Sequence, residues 1–302
     1  MSKFIISTDS CVDLYKSYLD KQGVHCITMK RILNGNEITE HFDSQEESDN
    51  FYVELANGAM PTTTQLNPHE LEEYFQKILD TEKDGDIIHV ALSSGLSTTC
   101  ENAIKVANDF NGKLKGRKIY VIDSLIATYG MALMVEELVE LRNAGAKTTD
   151  AVKRVENLRD NMQGWIIMGD LHHLKRGGRI GGFQAMVGSI LGIKPILTVN
   201  HKGKLVIENK MKGSHKAIQY ILEKIETLGA KADSNFLKGT LYFVRTSPSK
   251  IYDDMKVAVL EKYPSLNVKE GIIGPIIGSH MGGSGIAVIF CGAKRLTIEE
   301  KK

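Results

Sequence analysis

Small hydroxyl side chains are concentrated in four short segments of the first half of the chain, in a pattern that suits the binding of an anion. The most informative segment starts at Ser93-Ser94-Gly95, which follows an apolar run at 86–92 and precedes a helical pattern. Unpaired N–H groups and the positive end of a helix dipole attract a carboxylate or a phosphate at such a turn. Capping of each helix by its own Ser or Thr is the alternative interpretation, and the sequence leaves both open. The four segments are Thr8-Asp9-Ser10, Thr62-Thr63-Thr64-Gln65, Ser93 to Thr99 and Asp123-Ser124.

Cationic and imidazole side chains occur in two glycine-containing segments of the second half. Residues 172–179 carry two histidines and three cations, which would bind an anion or an acidic partner unless they form a solvated turn. Residues 274–285 place His280 in a glycine-rich loop, which favours close backbone approach to a ligand unless it is a flexible turn. Neither segment has the spacing of a helical metal pair or a nucleotide phosphate loop. We therefore expect no metal and no cofactor.

An uncharged apolar segment at 180–193 lies between these features. It is too short to span a bilayer, so it predicts either a buried core helix or the wall of an apolar ligand tunnel. Its glycine and methionine content suits a wall that must leave room and adapt its shape. In the second interpretation a ligand tail would lie against Phe183, Met186, Ile190 and Leu191.

Two enzymatic alternatives use some of the same residues. A serine-type lipid or acyl-ester hydrolase could be assembled from Ser94, His280 and Asp123, although the chain has no G-x-S-x-G elbow around the serine. Phosphoryl transfer by this chain alone would need a nucleotide phosphate loop, and none is present.

Alternating strand and helix patterns must position these side chains. In the first half, short apolar runs at 4–7, 24–29, 86–92 and 118–122 alternate with helical periodicity, which predicts a parallel sheet covered on both faces. Asn67-Pro68-His69-Glu70 predicts a capped helix start. In the second half, strands at 164–168, 240–245, 268–273 and 286–291, a hairpin at 195–208 and helices at 214–228 and 248–262 predict a mixed α+β domain.

Composition agrees with a globular protein of two domains. The chain has 302 residues, 42% hydrophobic and 25% charged, with a net charge of +1 that argues against nucleic-acid binding. Residues 1–160 hold 17 Lys and Arg against 26 Asp and Glu, whereas residues 161–302 hold 21 against 11. We place the domain boundary near residue 160, where the balance of charge changes sign. The N-terminus lacks the pattern of a signal peptide and the four cysteines are scattered, so we expect a cytoplasmic protein with reduced thiols.

The same segments, in the same order, resemble the DegV family of bacterial fatty-acid-binding proteins over nearly the whole chain. Each segment is weak alone, whereas seven in register over most of the chain are specific. The segments that carry the resemblance are Thr8-Asp9-Ser10, Pro61 to Gln65, Leu92 to Ser97, Val121 to Ser124, Leu174 to Ile180, Lys194 to Leu197 and Gly274 to His280.

The resemblance implies two α/β domains with an acyl chain held between them and no catalysis by the chain itself. The chain departs from the family at Thr64, where Ser is usual, and at Gly282-Gly283-Ser284, where Gly-Pro-Gly is common, which affects the path of that loop. In some bacteria members present a palmitate-like fatty acid to a separate fatty acid kinase, and the basic half would dock such a partner or an anionic membrane surface. The ligand-binding residues that the resemblance implies are Thr63, Thr64, Ser93 and Ser94 at the carboxylate, with Arg179 and His280 near the opening of the site.

Overall fold

The computed structural model describes residues 4–39, 42–180, 192–233, 235–295 and 297. Its helices and strands alternate through the first half and form a mixed pattern in the second, as the sequence predicts. The strands are β1 (Ile5–Asp9), β2 (Val24–Ile27), β3 (Lys30–Leu33), β4 (Asn36–Thr39), β5 (Thr62–Thr64), β6 (Ile87–Ala91), β7 (Ile119–Asp123), β8 (Met162–Met168), β9 (Ile193–Val199), β10 (Leu205–Lys212), β11 (Thr240–Arg245), β12 (Asn267–Ile272) and β13 (Gly285–Cys291). The helices are α1 (Lys16–Lys21), α2 (Gln45–Ala56), α3 (Pro68–Thr81), α4 (Thr99–Asn111), α5 (Tyr129–Asn143), α6 (Thr148–Asp160), α7 (His172–Arg176), α8 (Ser214–Ile225), α9 (Lys250–Lys262) and α10 (Pro275–Met281).

A parallel sheet in the order β2-β1-β6-β7 forms the centre of the first half. Every residue of β1 and β6 is buried, because helices cover both faces of the sheet. Parallel strands end at the same edge of a sheet, so the loops after β1, β6 and β7 come together there. Three of the four hydroxyl-rich segments lie in these loops.

A six-stranded mixed sheet in the order β10-β9-β8-β13-β11-β12 forms the second half. Trp165 and Ile167 point to the outer face, where they pack in one apolar cluster with residues of α8 and α9. Gly164 and Ile166, which alternate with them along β8, face the first half of the chain, as the two-residue period of a strand requires. This inner face becomes a wall of the site described below. The predicted α/β class, with a parallel sheet followed by a mixed one, is confirmed.

A third sheet, in the order β4-β3-β5, was not predicted. Its hairpin turns at Asn34-Gly35, where both residues have positive φ. An Asn-Gly pair between strand-like runs is a strong hairpin signal, so the sequence did contain evidence for this hairpin. The sheet places Thr62-Thr63-Thr64 on an edge strand, whereas the sequence pattern suggested a loop beside the parallel strands.

The boundaries of the helices show which local sequence signals were sufficient to predict a helix. The side chain of Asn67 accepts a hydrogen bond from the N–H of Glu70, and the Glu70 carboxylate accepts from the N–H of Asn67, which confirms the predicted cap. The segment that carries His280 is helix α10 rather than a flexible loop, with Pro275 at its first turn. The basic segment 172–176 is likewise a short helix, α7. Helices α2 and α6 were not predicted, and α1 begins at Lys16, whereas the helical periodicity of the sequence predicts a helix over 12–22.

The buried apolar core continues across residue 160. One cluster joins side chains of the parallel sheet and α5 to the inner face of the mixed sheet, including Ile88, Leu138, Leu197 and Ile289. The strands of the parallel and mixed sheets nevertheless fall entirely before and after that residue. The division into domains at 1–160 and 161–302 stays a prediction.

A buried histidine in β6 gives a testable pH dependence of stability. His89 is fully buried, its Nδ1 lies 2.8 Å from Oγ of Ser7, and that Oγ lies 2.8 Å from the hydroxyl of Tyr74. Burial lowers the pKa of His89 from 6.5 to about 3. As pH falls from 7 to 5, the unfolded chain therefore binds a proton here that the folded chain does not. This residue should cost the folded state about 2 kcal/mol over that range.

Urea unfolding of the wild type and of His89→Gln across this pH range would measure the effect. Asp9, whose pKa burial raises to about 6, acts in the opposite direction, so the informative quantity is the difference between the two proteins. We expect the stability of His89→Gln relative to the wild type to rise by about 2 kcal/mol as pH falls. His69→Gln, at an exposed position of α3, is the control. Parallel pH profiles for the wild type and His89→Gln would contradict this assignment.

Candidate functional site

A mostly apolar cavity lies between the two halves of the chain. One wall is formed by the loops after β6 and β7, the other by the inner face of the mixed sheet, and β5 and α10 close one side. The empty space, including the part open to solvent, is about 910 Å³. The apolar lining comes from Met29, Leu92, Leu96, Ile126, Ala127, Gly164, Ile166, Leu174, Val199, Leu205, Ile273, Ile276, Ile277, Met281, Ala287 and Ile289.

Polar side chains gather around the C-terminal end of α10. Oγ1 of Thr63 lies 2.7 Å from Nε2 of His280, which joins β5 to α10. Thr64 and Arg179 also line the cavity, and so do Gln65 and Ser97. Arg179 is exposed, so it lies where the cavity meets solvent. Four of the six ligand-binding residues that the family resemblance implies thus lie around one cavity, although their binding role stays a prediction.

Strand pairing and side-chain hydrogen bonds fix the position of Thr63. It pairs with Arg31 of β3, and the segment that follows is tied to the start of α4. Oγ1 of Thr99 accepts a hydrogen bond from the N–H of Leu66, while the Asn102 side chain donates to the Leu66 carbonyl. These contacts place β5 and Ser97 on the same side of the cavity.

Helix α7 packs against α10 and helps to fix its position. The Arg176 guanidinium donates to the carbonyls of Pro61 and Ser279, at 3.0 and 3.4 Å. A Cβ on Gly177 would lie 2.4 Å from Nδ1 of His280, so this position requires glycine for the imidazole to fit. The basic segment therefore braces the histidine in addition to contributing charge.

The His280 imidazole is neutral near pH 7. Burial, together with the nearby positive charges of Arg179 and Arg176, lowers its pKa to about 4. A neutral imidazole can donate from one ring nitrogen only. In the tautomer with the proton on Nε2, His280 donates to Thr63 and leaves the Thr63 hydroxyl proton available to a ligand.

The two serines after β6 do not line the cavity. Ser93 is fully buried, and its Oγ donates to the Gly203 carbonyl and accepts from the N–H of Gly95. Ser94 is partly buried and its N–H donates to Oδ1 of Asp123. Ser93 therefore fastens the tip of the β9–β10 hairpin to the first half, which is a structural role that the sequence did not indicate. Ligand contact by Ser93 or Ser94 stays a prediction.

Three polar residues of the lining, Gln65, Ser97 and Thr128, are not among the predicted ligand-binding residues. Ser97 belongs to the hydroxyl-rich segment already recognised, and its Oγ lies 3.0 Å from Oγ1 of Thr99. Thr128 lies in the loop after β7, four residues beyond the Asp123-Ser124 segment, and belongs to no motif itself. The signal for Ser97 was present in the sequence, whereas that for Thr128 was not.

The hydrolase arrangement is not formed in this structure. His280 bonds to Thr63, while Oδ1 of Asp123 accepts from the N–H groups of Ser94 and Leu125. Within the described ranges, no hydrogen bond joins Ser94 to His280 or His280 to Asp123. Without a base that reaches the serine, the nucleophile is not activated.

The expected tail-contacting residues, Phe183, Met186, Ile190 and Leu191, lie outside the described residues. Their contact with a ligand stays a prediction. In the part of the chain that the structure describes, no group of His, Cys, Asp and Glu side chains could hold a metal ion. None of the helices described there has the length and apolarity needed to cross a membrane.

The fold and this cavity define an α/β protein with an internal, mostly apolar site that is polar at one end, and the comparisons specify the family. A family model described as "Uncharacterised protein, DegV family" matches residues 3–293. A DegV domain-containing protein of Clostridium perfringens is 30% identical over 97% of this chain and 98% of its own length. The chain belongs to the DegV family.

Solved structures of the family share the fold. A fatty-acid-binding DegV family protein of Thermus thermophilus is 24% identical with a TM-score of 0.81, over 97% of this chain and all of the other. A DegV family protein of Eubacterium eligens loaded with heptadecanoic acid is 17% identical with a TM-score of 0.78, over 96% of this chain and all of the other. These likenesses establish the two-part α/β architecture.

Proposed function

We propose that this protein binds a long-chain, palmitate-like fatty acid. The observation that carries the proposal is a single cavity whose walls are apolar and whose polar groups include Thr63, His280 and Arg179. A fatty acid has the same division into an apolar tail and an anionic head. The fatty acid binding described for the Thermus thermophilus protein and the heptadecanoic acid loaded into the Eubacterium eligens protein support this ligand class.

The carboxylate would lie at the Thr63 end. A carboxylate needs two or three donors, and charge-assisted hydrogen bonds are about twice as strong as neutral ones. The Thr63 hydroxyl, polarised by His280, would supply one donor, and Thr64 or Ser97 another. Arg179 would contribute positive charge from the solvent side without a buried ion pair.

The acyl chain would lie against the lining from both halves, including Leu92, Ile126, Ile166 and Ile289. Each buried methylene contributes about 0.8 kcal/mol, so a long chain binds tightly without a charged clamp. Chain length would then govern affinity, and the apolar walls would exclude water from the tail.

We further propose that the protein is a non-enzymatic carrier that presents its fatty acid to a separate fatty acid kinase. Neutral hydroxyl donors would leave the carboxylate reactive toward a phosphoryl donor brought by that partner. The surface beside the carboxylate end carries exposed Lys175, Arg176 and Arg179. An acidic surface of a kinase would dock there, and an anionic membrane would meet the same charges during transfer.

The docking proposal predicts salt-dependent association with a fatty acid kinase. Lys175→Glu should weaken binding in calorimetry, and the weakening should shrink as salt screens the charges. Lys115→Glu, an exposed site in the first half, is the control. Equal binding by the wild type and Lys175→Glu at low salt would contradict this docking face.

The carboxylate site predicts that Thr63→Val weakens palmitate binding at least about tenfold, because a hydrogen bond to a charged group is worth roughly 1.5–3 kcal/mol. Valine keeps the shape and the β-branched fit to the edge strand. Thr62→Val is the matched control, since Thr62 is exposed and does not line the cavity. Calorimetric titration with palmitate would compare the three proteins. Equal affinity of Thr63→Val and the wild type would remove Thr63 from the site.

A further inference from the structure

Thr128 has a backbone conformation that is rare for its residue type. Its φ is 55° and its ψ is −133°, and Leu125 in the same loop has a φ of 51°. A positive φ is a genuine outlier for a β-branched residue, whereas glycine adopts it freely. The N–H of Thr128 donates to the Cys11 carbonyl at 2.8 Å, which holds the residue in place. The chain thus retains a threonine side chain where glycine would fit with less strain.

The Thr128 hydroxyl makes no hydrogen bond within the part of the chain that the structure describes. Thr128 directly precedes α5, where a Thr side chain usually caps the helix, yet it makes no capping hydrogen bond. Across the described ranges, no other residue hydrogen-bonds to this hydroxyl. The residue is only 6% exposed and it lines the cavity. An unpartnered hydroxyl therefore lies in the apolar wall.

Its place in the cavity is away from the carboxylate end. Thr128 bonds to Cys11, within the turn Ser10–Val12 that packs against α10, and a Cβ on Gly274 would lie 2.4 Å from Oδ1 of nearby Asp13. This turn therefore meets α10 at its N-terminal end, whereas His280 lies near its C-terminal end. His280 is six positions after Gly274, which corresponds to about 9 Å along the helix axis.

The cavity lining contributed by the elements nearest to Thr128 is apolar. Met29, Ile126, Ile273 and Ile276 come from those elements. An ordered water needs two to four polar partners, and one hydroxyl among such side chains does not supply them. A ligand oxygen is the partner that this geometry favours.

We infer that Thr128 is a specificity-determining residue that hydrogen-bonds an oxygen substituent in the middle of the acyl chain, so that the site accepts hydroxy fatty acids. The inference rests on the proposed function, because it takes the carboxylate to lie at the Thr63 end. A plain chain would leave the Thr128 hydroxyl desolvated and unpaired. A hydroxyl at the matching carbon would satisfy both groups, and sites built to hydrogen-bond a substrate hydroxyl discriminate strongly against analogues that lack it.

We would test the role of Thr128 by competition binding. The ligands are stearic acid and a series of monohydroxystearic acids that differ in the position of the hydroxyl along the chain. For the wild type, we expect affinity relative to stearate to peak at one mid-chain position and to be low elsewhere. Thr128→Val, which keeps the β-branched shape at the same φ, should lower affinity for the best hydroxy acid about tenfold. Because valine leaves no unpaired hydroxyl against a plain chain, stearate should bind this variant more tightly than it binds the wild type, and Thr128→Ser should retain the preference for the hydroxy acid.

The outcomes distinguish a failure of the proposed fatty acid binding from a failure of the proposed role of Thr128. If stearate does not bind the wild type, the proposed function fails. If stearate binds and the wild type shows no positional peak, or if the peak survives in Thr128→Val, the role of Thr128 is overturned. The positional series needs only the wild type, so it decides the matter even if a variant fails to fold.

Discussion

Replacing Arg295 with methionine is expected to lower the free energy of unfolding by about 3 kcal/mol or more. Arg295 is 8% exposed, and its guanidinium donates to backbone carbonyls of β8, the end of α6, the loop after β7 and the β9–β10 turn. Methionine fills a similar volume but leaves these buried carbonyls without their donor. Burial lowers the pKa of Arg295 to about 10, so the side chain is still charged at pH 7.

Urea unfolding at neutral pH would measure the loss. Lys294→Met removes a charge from the adjacent exposed position and is the control, with an expected change within about 0.5 kcal/mol. Because one of the four carbonyls belongs to Leu125, in the loop that leads to Thr128, we also expect weaker fatty acid binding in Arg295→Met. A loss of stability below about 1 kcal/mol would show that the junction does not depend on this residue.

Replacing Gly203 with alanine is expected to destabilise the protein by about 3 kcal/mol. Its φ is +70°, and a Cβ there would lie 2.1 Å from Oγ of Ser93 and 3.0 Å from Cα of Leu125. The hairpin tip would have to move away from the first half, and the hydrogen bond from Ser93 to the Gly203 carbonyl would be strained or lost. The cavity walls at Leu92 and Leu205 adjoin these contacts, so affinity for palmitate should fall as well.

Gly116→Ala separates the cost of backbone strain from the cost of the steric clash at Gly203. Gly116 has a φ of +77° and nothing within 4 Å of a Cβ, so its replacement introduces backbone strain without a clash. We expect a cost of about 1 kcal/mol there, measured by the same thermal or urea unfolding. Equal costs at the two glycines would mean that the close packing at Gly203 contributes nothing.

Much of the fold follows from local signals. The apolar run at 86–92 and the hydroxyl turn after it predict β6 and the edge where the cavity lies, since strand burial and turn chemistry are both encoded within a few residues. The capping box at Asn67 is equally local. The sheet formed by β3, β4 and β5 depends on pairing Arg31 with Thr63, which no short-range pattern specifies.

The site was predictable only where a motif coincided with a cavity-facing position. Thr63 and His280 belong to recognisable segments, and the structure brings their side chains within 2.7 Å. Ser93 also carries a hydroxyl and belongs to a recognised segment. Its Oγ nevertheless donates to the Gly203 carbonyl at the tip of the β9–β10 hairpin. Thr128 has no motif, because its distinction is a backbone angle imposed by the Cys11 carbonyl, and such a tertiary constraint cannot be read from residue types.

The most direct test of the proposed function is the identity of any molecule that copurifies with the protein. Native mass spectrometry of gently purified protein, followed by solvent extraction and lipid analysis, should show one long-chain fatty acid per chain. Added palmitate should raise the melting temperature of stripped protein by mass action. Absence of a fatty acid from the extract, together with no thermal shift on adding palmitate, would contradict the account.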